Sequence, residues 1–549
     1  MQLKNILWPK VWSKSSDWTS GLRRFLGCRE KSLFVSRMVL PPLRRVSSSS
    51  SKRYKQIQKR TLRSAYRGQT VTAKKTKTAL LTAAFLISGC AVGPDYVAPQ
   101  PEVPDLWTQS IESDTEDSMA SLSAWWDAFD DDTLASLIRR AHSGNLSIDL
   151  FAERVTESRL NLAIAASERL PTVNASGGVE RRRGSDGVSA APPQQTRTDT
   201  FRDLGTSASW EIDLWGRVRR SVESARAAYE SSIEELRDVQ VSVYAEVATS
   251  YFLLRTQQER LRLARANVVT QQRTLELVTA RHEAELTPLL DVRQAELNLA
   301  VTQSSIPELE AAIANILHQI SFLLGEMPAE LSIELSAPQP MPDIPETFTN
   351  QVPANVVRQR PDIRAAERQL AAQTAQIGVA TADLYPNFFL SGDFGYSTAS
   401  GGLVNQANRS WGLGTAFSLN LFNSGRVRNS IRVEEARTRQ AFISYEQTVL
   451  DALREVENSL VDYHKEVEKS VFLGVSVDAA VDAERLVTDQ YRQGLTNFQN
   501  VLDTQRSLFN QQDQLADSKG SALIDLVSVY RSFGGGWDAF PTPTAEDSK

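Results

Sequence analysis

The sequence predicts a mainly α fold with a small β part, built as two tandem structural repeats of one unit. Three observations carry this. Short strings recur at a fixed offset, two proline-free helical runs of equal length dominate the chain, and four segments alternate strictly between apolar and small polar residues. Self-similarity comes first, because a missed repeat misreads the whole fold. Trp215-Gly216-Arg217-Val218-Arg219 is answered 209 positions later by Ser424-Gly425-Arg426-Val427-Arg428, and Glu285-Leu286-Thr287 by Gly494-Leu495-Thr496 at the same offset. Leu170-Pro171 and Tyr385-Pro386 mark equivalent points, shifted slightly because the intervening loops differ in length.

Taken in order, the chain begins basic. Its first 70 residues hold 17 Lys and Arg against two acids, Asp17 and Glu30, although the whole chain carries a formal charge of −5. A basic cluster (Lys74, Lys75, Lys77) and an apolar run from Thr78 to Ser88 follow. That run is too short to span a bilayer and fits the apolar core of a secretory signal. It ends Ile87-Ser88-Gly89-Cys90, similar to a bacterial lipobox, whose cysteine is acylated and becomes the mature N-terminus. A core cysteine after a buried helix is the plain alternative. Ala91 rather than Asp follows, so the inner-membrane retention signal of such lipoproteins is absent. Signal peptides run about 15–30 residues. Residues 71–89 therefore read as the lipoprotein signal peptide, with Val71 as a possible GTG start. Residues 1–70 are then expected to be a mis-annotated extension, or else a disordered basic one that binds nucleic acid or acidic lipid. Cys28 and Cys90, the only cysteines, are not expected to pair. Beyond them the expected order is a tail over 90–130, a first repeat over 131–340, a second over 341–533, and a flexible C-terminal tail over 534–549. A Pro-rich bridge, Pro338–Pro345, separates the repeats.

The strand signal is a period of two. Leu204, Thr206, Ala208, Trp210, Ile212 and Leu214 alternate with Gly205, Ser207, Ser209, Glu211 and Asp213. The second copy repeats this, with Trp411, Leu413, Thr415, Phe417, Leu419 and Leu421 against Gly412, Gly414, Ala416, Ser418 and Asn420. Partner strands are expected after the two prolines, near 172–180 and 387–397. One apolar and one small polar face suits a half-buried soluble sheet, and it also suits an outer-membrane barrel. Four strands cannot close a barrel, and eight would enclose only side chains. A water-filled duct therefore needs at least three chains and twelve strands.

Each second strand leads into a proline-free helical run, 217–284 and 426–493. At 1.5 Å per residue each spans about 100 Å, more than a compact domain holds and suited to a tube. Val449, Leu453, Val456, Leu460, Tyr463 and Val467 form a heptad seam. Tyr244, Val247, Tyr251 and Leu254 share its register in the first copy. Each run ends in a tight reversal. Thr496 with Gln499 reads as a capping box after Gly494. In the first copy Thr287 is expected to cap and Pro288 to open the helix. Glu285 replaces the glycine there, so that turn is expected to differ. Leu495, in a tight turn with little core to join, is a candidate partner contact, its alternative being packing on its own hairpin.

The inventory of chemistry argues against an enzyme. His142, His282, His318 and His464 are isolated in sequence, and no HExxH, P-loop or GxSxG string occurs. Gly534-Gly535-Gly536 follows a helix rather than opening one, so it reads as a stop.

From Cys90 to about Asp538 the chain resembles the TolC/OprM-type outer-membrane efflux channel family, specifically its NodT-like lipoprotein branch. Three strings carry the resemblance: Gly89 through Pro99 (GCAVGPDYVAP), Trp125 through Asp130 (WWDAFD), and Gln359 through Arg368 (QRPDIRAAER). It implies a trimeric 12-stranded outer-membrane β-barrel continuous with a 12-helix periplasmic α-barrel, with 90–130 as the tail of an equatorial region. It implies the outer-membrane channel component of a tripartite efflux system, passively conducting small toxic compounds. The partners implied are a homotrimer, a periplasmic adaptor (membrane fusion) protein, an inner-membrane RND-type or ABC-type transporter and outer-membrane lipid; no nucleic acid, metal or cofactor is expected. The site residues implied are Cys90 for lipidation and Leu286, Thr287, Gly494, Leu495 and Thr496 at two adaptor-docking tips. Tyr491 and Asp503 match a periplasmic gate, while Asn500 stands where some members carry another Asp. A type I protein-secretion duct remains open, as does a non-conducting coiled-coil envelope lipoprotein, though the latter leaves the alternating strands unexplained.

Cys90→Ser is expected to abolish metabolic labelling with radioactive palmitate. One acyl chain binds a membrane only marginally, and a barrel would hold the protein besides, so much of the transport activity should survive. Persistent labelling of the variant refutes the lipobox reading.

Overall fold

The computed structural model describes residues 91–100, 120–183, 198–328, 339–345, 358–399 and 402–540, with Leu335 and Ala337. All lie in one unit, 84–549. Residues 1–70, the signal peptide and Cys90 lie outside the described residues. After a short helical turn (Ala120–Ser123) and a 3-10 turn (Trp125–Phe129) the elements are α1 (Asp132–Gly144), α2 (Leu146–Ser167), β1 (Thr172–Arg183) and β2 (Thr198–Ile212). Then come α3 (Arg217–Glu283), α4 (Leu289–Leu324), α5 (Pro361–Ala382), β3 (Asn387–Thr398), β4 (Arg409–Ser418), α6 (Arg426–Arg492) and α7 (Phe498–Ser532). The fold is mostly helical with one small sheet. Among the described residues no helix is long and apolar enough to cross a membrane.

Local chemistry sets the boundaries. Asp131 and Asn145 cap α1 and α2, each side-chain oxygen accepting from two backbone N–H groups of the first turn. α3 and α6 are both 67 residues long. Both start after a glycine at φ +82°, Gly216 and Gly425, a left-handed conformation that costs glycine little. The N-terminal segment is tied to this junction. Val92 N–H donates to the Trp215 carbonyl (3.0 Å), and the buried Arg220 donates to the Val92 carbonyl (3.2 Å) and to Asp95 (2.7 Å). A Cβ on Gly93 would lie 2.5 Å from the Gly378 Cα, which explains the glycine in that string.

The sheet has the order β1-β2-β3-β4, antiparallel throughout. Opposed residues share a face, so the register sorts the strands as their alternation predicts. Val173, Leu204, Phe394, Trp411 and Phe417 fall on one face, and Asn174, Ser207, Ser391 and Gly414 on the other. Among the described residues the apolar face is largely bare: Trp411 is 73% and Leu413 74% exposed. β1 and β4 each leave an unpaired edge. β4 ends at Ser418, so Leu419 and Leu421 lie past the strand they were expected to extend.

The main core lies where the long helices pass the shorter ones. Tyr244, Val247, Tyr251 and Leu254 of α3 and Val449, Val456, Leu460 and Tyr463 of α6 are buried in it, so the heptad seams converge here. Trp125 stacks on Tyr530 (5.4 Å), Trp126 on Phe540 (5.8 Å) and Phe540 on His142 (4.4 Å). His142 shares a hydrogen bond with the Tyr244 hydroxyl (2.7 Å), and burial lowers its pKa. The tail from 534, expected to be flexible, is therefore packed as far as Phe540. Gly534 ends α7 in a left-handed conformation (φ +73°), and Trp537 lies under the Arg237 guanidinium (4.4 Å). Arg360 explains its string: it donates to the Ser532 carbonyl (2.6 Å), Asp362 (2.8 Å) and Glu455 (2.8 Å), joining α5, α6 and α7.

α7 packs tightly on α3 at Gly520, where a Cβ would lie 1.9 Å from the Thr256 hydroxyl oxygen. Gly520→Ala is expected to destabilise the protein by about 1–3 kcal/mol, the usual cost of overpacking. Adding Thr256→Ala should restore most of the loss in thermal melts of the purified protein. Strict additivity of the two substitutions would show that this contact does not set the helix separation.

Candidate functional site at the helix reversals

The α3–α4 and α6–α7 reversals lie side by side. Each long helix ends with the same pair of backbone bonds. Glu285 and Leu286 N–H donate to the His282 (2.8 Å) and Arg281 (2.9 Å) carbonyls; Gly494 and Leu495 N–H donate to the Tyr491 (3.0 Å) and Gln490 (2.9 Å) carbonyls. This is the Schellman arrangement, which needs a left-handed residue. Gly494 supplies it at φ +73°, and Glu285 supplies it at φ +65°. The first turn was expected to differ because it lacks the glycine. It does not, and Glu285 bears about 1–2 kcal/mol of strain instead.

The start of each return helix corrects two further expectations. Asn497, not Thr496, caps α7, its Oδ1 accepting from Asn500 N–H (3.1 Å). Thr496 Oγ1 accepts from the Asn500 amide (2.8 Å), and Gln499 donates to Asp503 (2.9 Å) rather than closing a capping box. Pro288 stands in the cap position of α4, so Thr287 lies one residue outside it. The Thr287 carbonyl instead bonds the His282 ring (2.8 Å). Its hydroxyl is buried without a hydrogen bond of good geometry.

A small second core joins the reversals: Val278, Val292 and Ala295 from the first, Tyr491, Phe498, Val501 and Leu502 from the second. Arg281 completes the joint. It donates to the Tyr491 (3.0 Å) and Arg492 (3.2 Å) carbonyls at the end of α6, and its guanidinium lies 4.8 Å from the centre of the Tyr491 ring. A cation on exposed C-terminal carbonyls is favoured by the helix dipole. Tyr491 is buried in this core, and its hydroxyl lies beside that of Thr287 from the other reversal. Burial pushes that hydroxyl above its ordinary pKa, and the Arg281 charge opposes the shift. Asp503 is exposed on α7. Leu286 (66%) and Leu495 (71%) project from the turns, and Leu289 and Leu290 are exposed beside Leu286. Sequence reasoning missed Arg281, Leu289 and Leu290. Two leucines directly after a proline at a helix start were a usable signal, whereas nothing local marks Arg281.

The comparisons agree with this architecture. The model of the outer membrane efflux protein family matches residues 137–326 and again 352–535. Nodulation protein T of Rhizobium leguminosarum bv. viciae is 31% identical over 461 residues, spanning 83% of this chain and 92% of the relative. The solvent efflux pump outer membrane protein SrpC of Pseudomonas putida is 29% identical, spanning 84% of this chain and 99% of the relative. Among solved structures, the outer-membrane channel OprN superposes with a TM-score of 0.74 at 35% identity, over 82% of this chain and 100% of its own. The open-state MtrE outer membrane channel of Neisseria gonorrhoeae superposes at 0.69 with 25% identity, over 83% of this chain and 100% of its own. With its double family match, its exposed apolar sheet and its paired long hairpins, the chain belongs to the outer membrane efflux protein family.

Proposed function

We propose that this protein is the outer-membrane channel of a tripartite efflux system, a homotrimer that conducts small toxic compounds passively once docked to a periplasmic adaptor and an inner-membrane transporter. One observation carries the reading: an open four-stranded sheet with a bare apolar face and two free edges runs directly into hairpins about 100 Å long. Free edges invite pairing, and a bare apolar face this large marks a lipid or partner surface. Three chains pairing β1 to β4 would give a closed twelve-stranded barrel, polar inside and apolar outside, over a twelve-helix tunnel of α3, α4, α6 and α7. The double family match and the equal lengths of α3 and α6 support two tandem repeats. The family's relatives are named for solvent and antibiotic efflux, which favours small molecules over secreted proteins as cargo. Cys90 is proposed as the lipidated residue; the next residue, Ala91, has atoms within 3 Å of a Cβ built on Gly216, where β2 gives way to α3. An acyl chain there would enter the membrane beside the base of the barrel.

The tips then act in two ways. Leu286, Thr287, Gly494, Leu495 and Thr496 form the adaptor-docking surface, with the exposed leucines as its apolar anchors. Tyr491 and Asp503 belong to the periplasmic gate. Threefold symmetry would bring three Asp503 carboxylates around one axis, and such rings favour cations. The buried Tyr491 hydroxyl faces Thr287 across the joint between the two reversals, a contact that would help hold the tip shut.

Leu495→Glu is expected to leave trimers intact yet abolish drug resistance and adaptor cross-linking in cells. Unaltered resistance and cross-linking would argue against docking at this turn. In planar bilayers at low salt, where screening is weak, Asp503→Ala should reduce cation preference. Tyr491→Phe should raise resting conductance. Unchanged selectivity in the first variant removes Asp503 from the gate.

A further inference from the structure

The charges of the sheet are sorted by face. Its strands carry five carboxylates and five arginines. By register Glu180 opposes Phe201, Asp199 opposes Arg182, Asp203 opposes Gly178, Glu211 opposes Phe389 and Asp393 opposes Gly412. All five carboxylates therefore lie on the polar face. Arg182 lies there too and is paired, 2.9 Å from Glu180. The other four arginines lie on the apolar face. Arg181 opposes Thr200, Arg183 opposes Thr198, Arg202 opposes both Val179 and Thr398, and Arg409 opposes Tyr396. All four are exposed, and among the described residues none is paired with a carboxylate.

The four gather at one end. Arg181 and Arg183 finish β1, Arg202 lies near the start of β2 and Arg409 opens β4, all at the end of the sheet remote from the helices. Phe417 lies eight residues further along β4. At about 3.4 Å per residue and a strand tilt near 40°, that separation is roughly 20 Å along a barrel axis, close to the ~25 Å height of an outer-membrane apolar band. Tyr396 lies level with Arg409, and Phe394 and Trp411 lie just inside it, where an aromatic girdle belongs. An arginine on the lipid face is costly at the midplane and nearly free of cost near the interface, so this level is where four are tolerable. Among the strand residues no carboxylate shares that face to neutralise them, and the guanidinium fork matches phosphate oxygens in pairs.

We infer that Arg181, Arg183, Arg202 and Arg409 form a cationic collar that binds phosphate-bearing headgroups of the outer-leaflet lipid around the channel. The inference rests on the barrel reading above. It is tested with the purified full-length protein, measuring retention of lipid A and of dephosphorylated lipid A by native mass spectrometry, alongside conductance in neutral phosphatidylcholine bilayers. The phosphorylated lipid should be held about ten-fold more tightly, as charge-assisted bonds require, and the preference should shrink with added salt. Replacing all four (Arg181→Gln, Arg183→Gln, Arg202→Gln, Arg409→Gln) should erase the preference without changing conductance in the neutral bilayer. Lysine at the same positions should keep part of it. If the glutamine variant fails to fold, the wild-type dependence on phosphate and salt decides alone. Equal retention of both lipids by a conducting wild type overturns the collar and leaves the channel reading intact. A wild type that neither inserts nor conducts overturns both.

Discussion

Everything in this molecule depends on the aromatic core at mid-height, because helices of 67 residues cannot be held together from their ends. Burying one large apolar side chain contributes about 1.5–3 kcal/mol, and well-placed aromatic pairs add about 0.5–1.5. Exposed pairs along the outer helix surfaces, such as Lys465–Glu468 and Arg485–Asp482, contribute little, because water screens them. The core around Trp125, Tyr244, Tyr251 and Tyr530 therefore outweighs the many charges on the shafts. Arg360 reinforces it from α5, and the Gly520–Thr256 contact brings α7 against α3 just beyond it. From there the hairpins extend as levers, with sparse polar links such as Arg260–Asp513 (2.7 Å) between the main core and the small one at the tips.

That arrangement suits a device whose ends must meet different partners. The sheet end offers a bare apolar surface, while the tip end offers a few leucines on a small, separately packed core. The two tips share a backbone geometry but not a surface. One presents Leu286, Leu289 and Leu290; the other presents Leu495 alone, because Phe498 turns inward against Tyr491. A partner that met both would find two unlike surfaces on one chain. Arg281 links them, so a change at one tip is felt by the carbonyls that end the other helix.

The sequence revealed what depends on periodicity and punctuation. Alternation gave the strands and their faces, Pro171 and Pro386 gave their starts, and the 209-residue offset gave the two reversals. Heptad spacing identified the residues that fill the core, though not that the two seams meet in it. What stayed hidden was decided by competition between neighbours or by long-range contact. Thr496 and Asn497 are both good caps, and only the chain's path into α7 selects the second. Glu285 is a poor candidate for a left-handed turn, and tertiary packing of the paired hairpins overrides that preference. Arg281 acts on carbonyls some 210 residues away, and Phe540 packs on a tryptophan more than 400 residues earlier, separations invisible to any local pattern.

The stacking of Phe540 on Trp126 and His142 also has a temporal meaning. A chain made and exported from its N-terminus presents Trp125 and Trp126 early, but the rings that cover them arrive with the last α7 residues and the turn beyond. Contacts so distant in sequence close slowly, and until they do, apolar surface and sheet edges stand open to other chains. Such a polypeptide crosses an aqueous compartment with its centre unfinished. Its safe passage falls to whatever shields nascent chains there, and loss of a few residues near position 540 would act less like trimming a tail than like never completing synthesis.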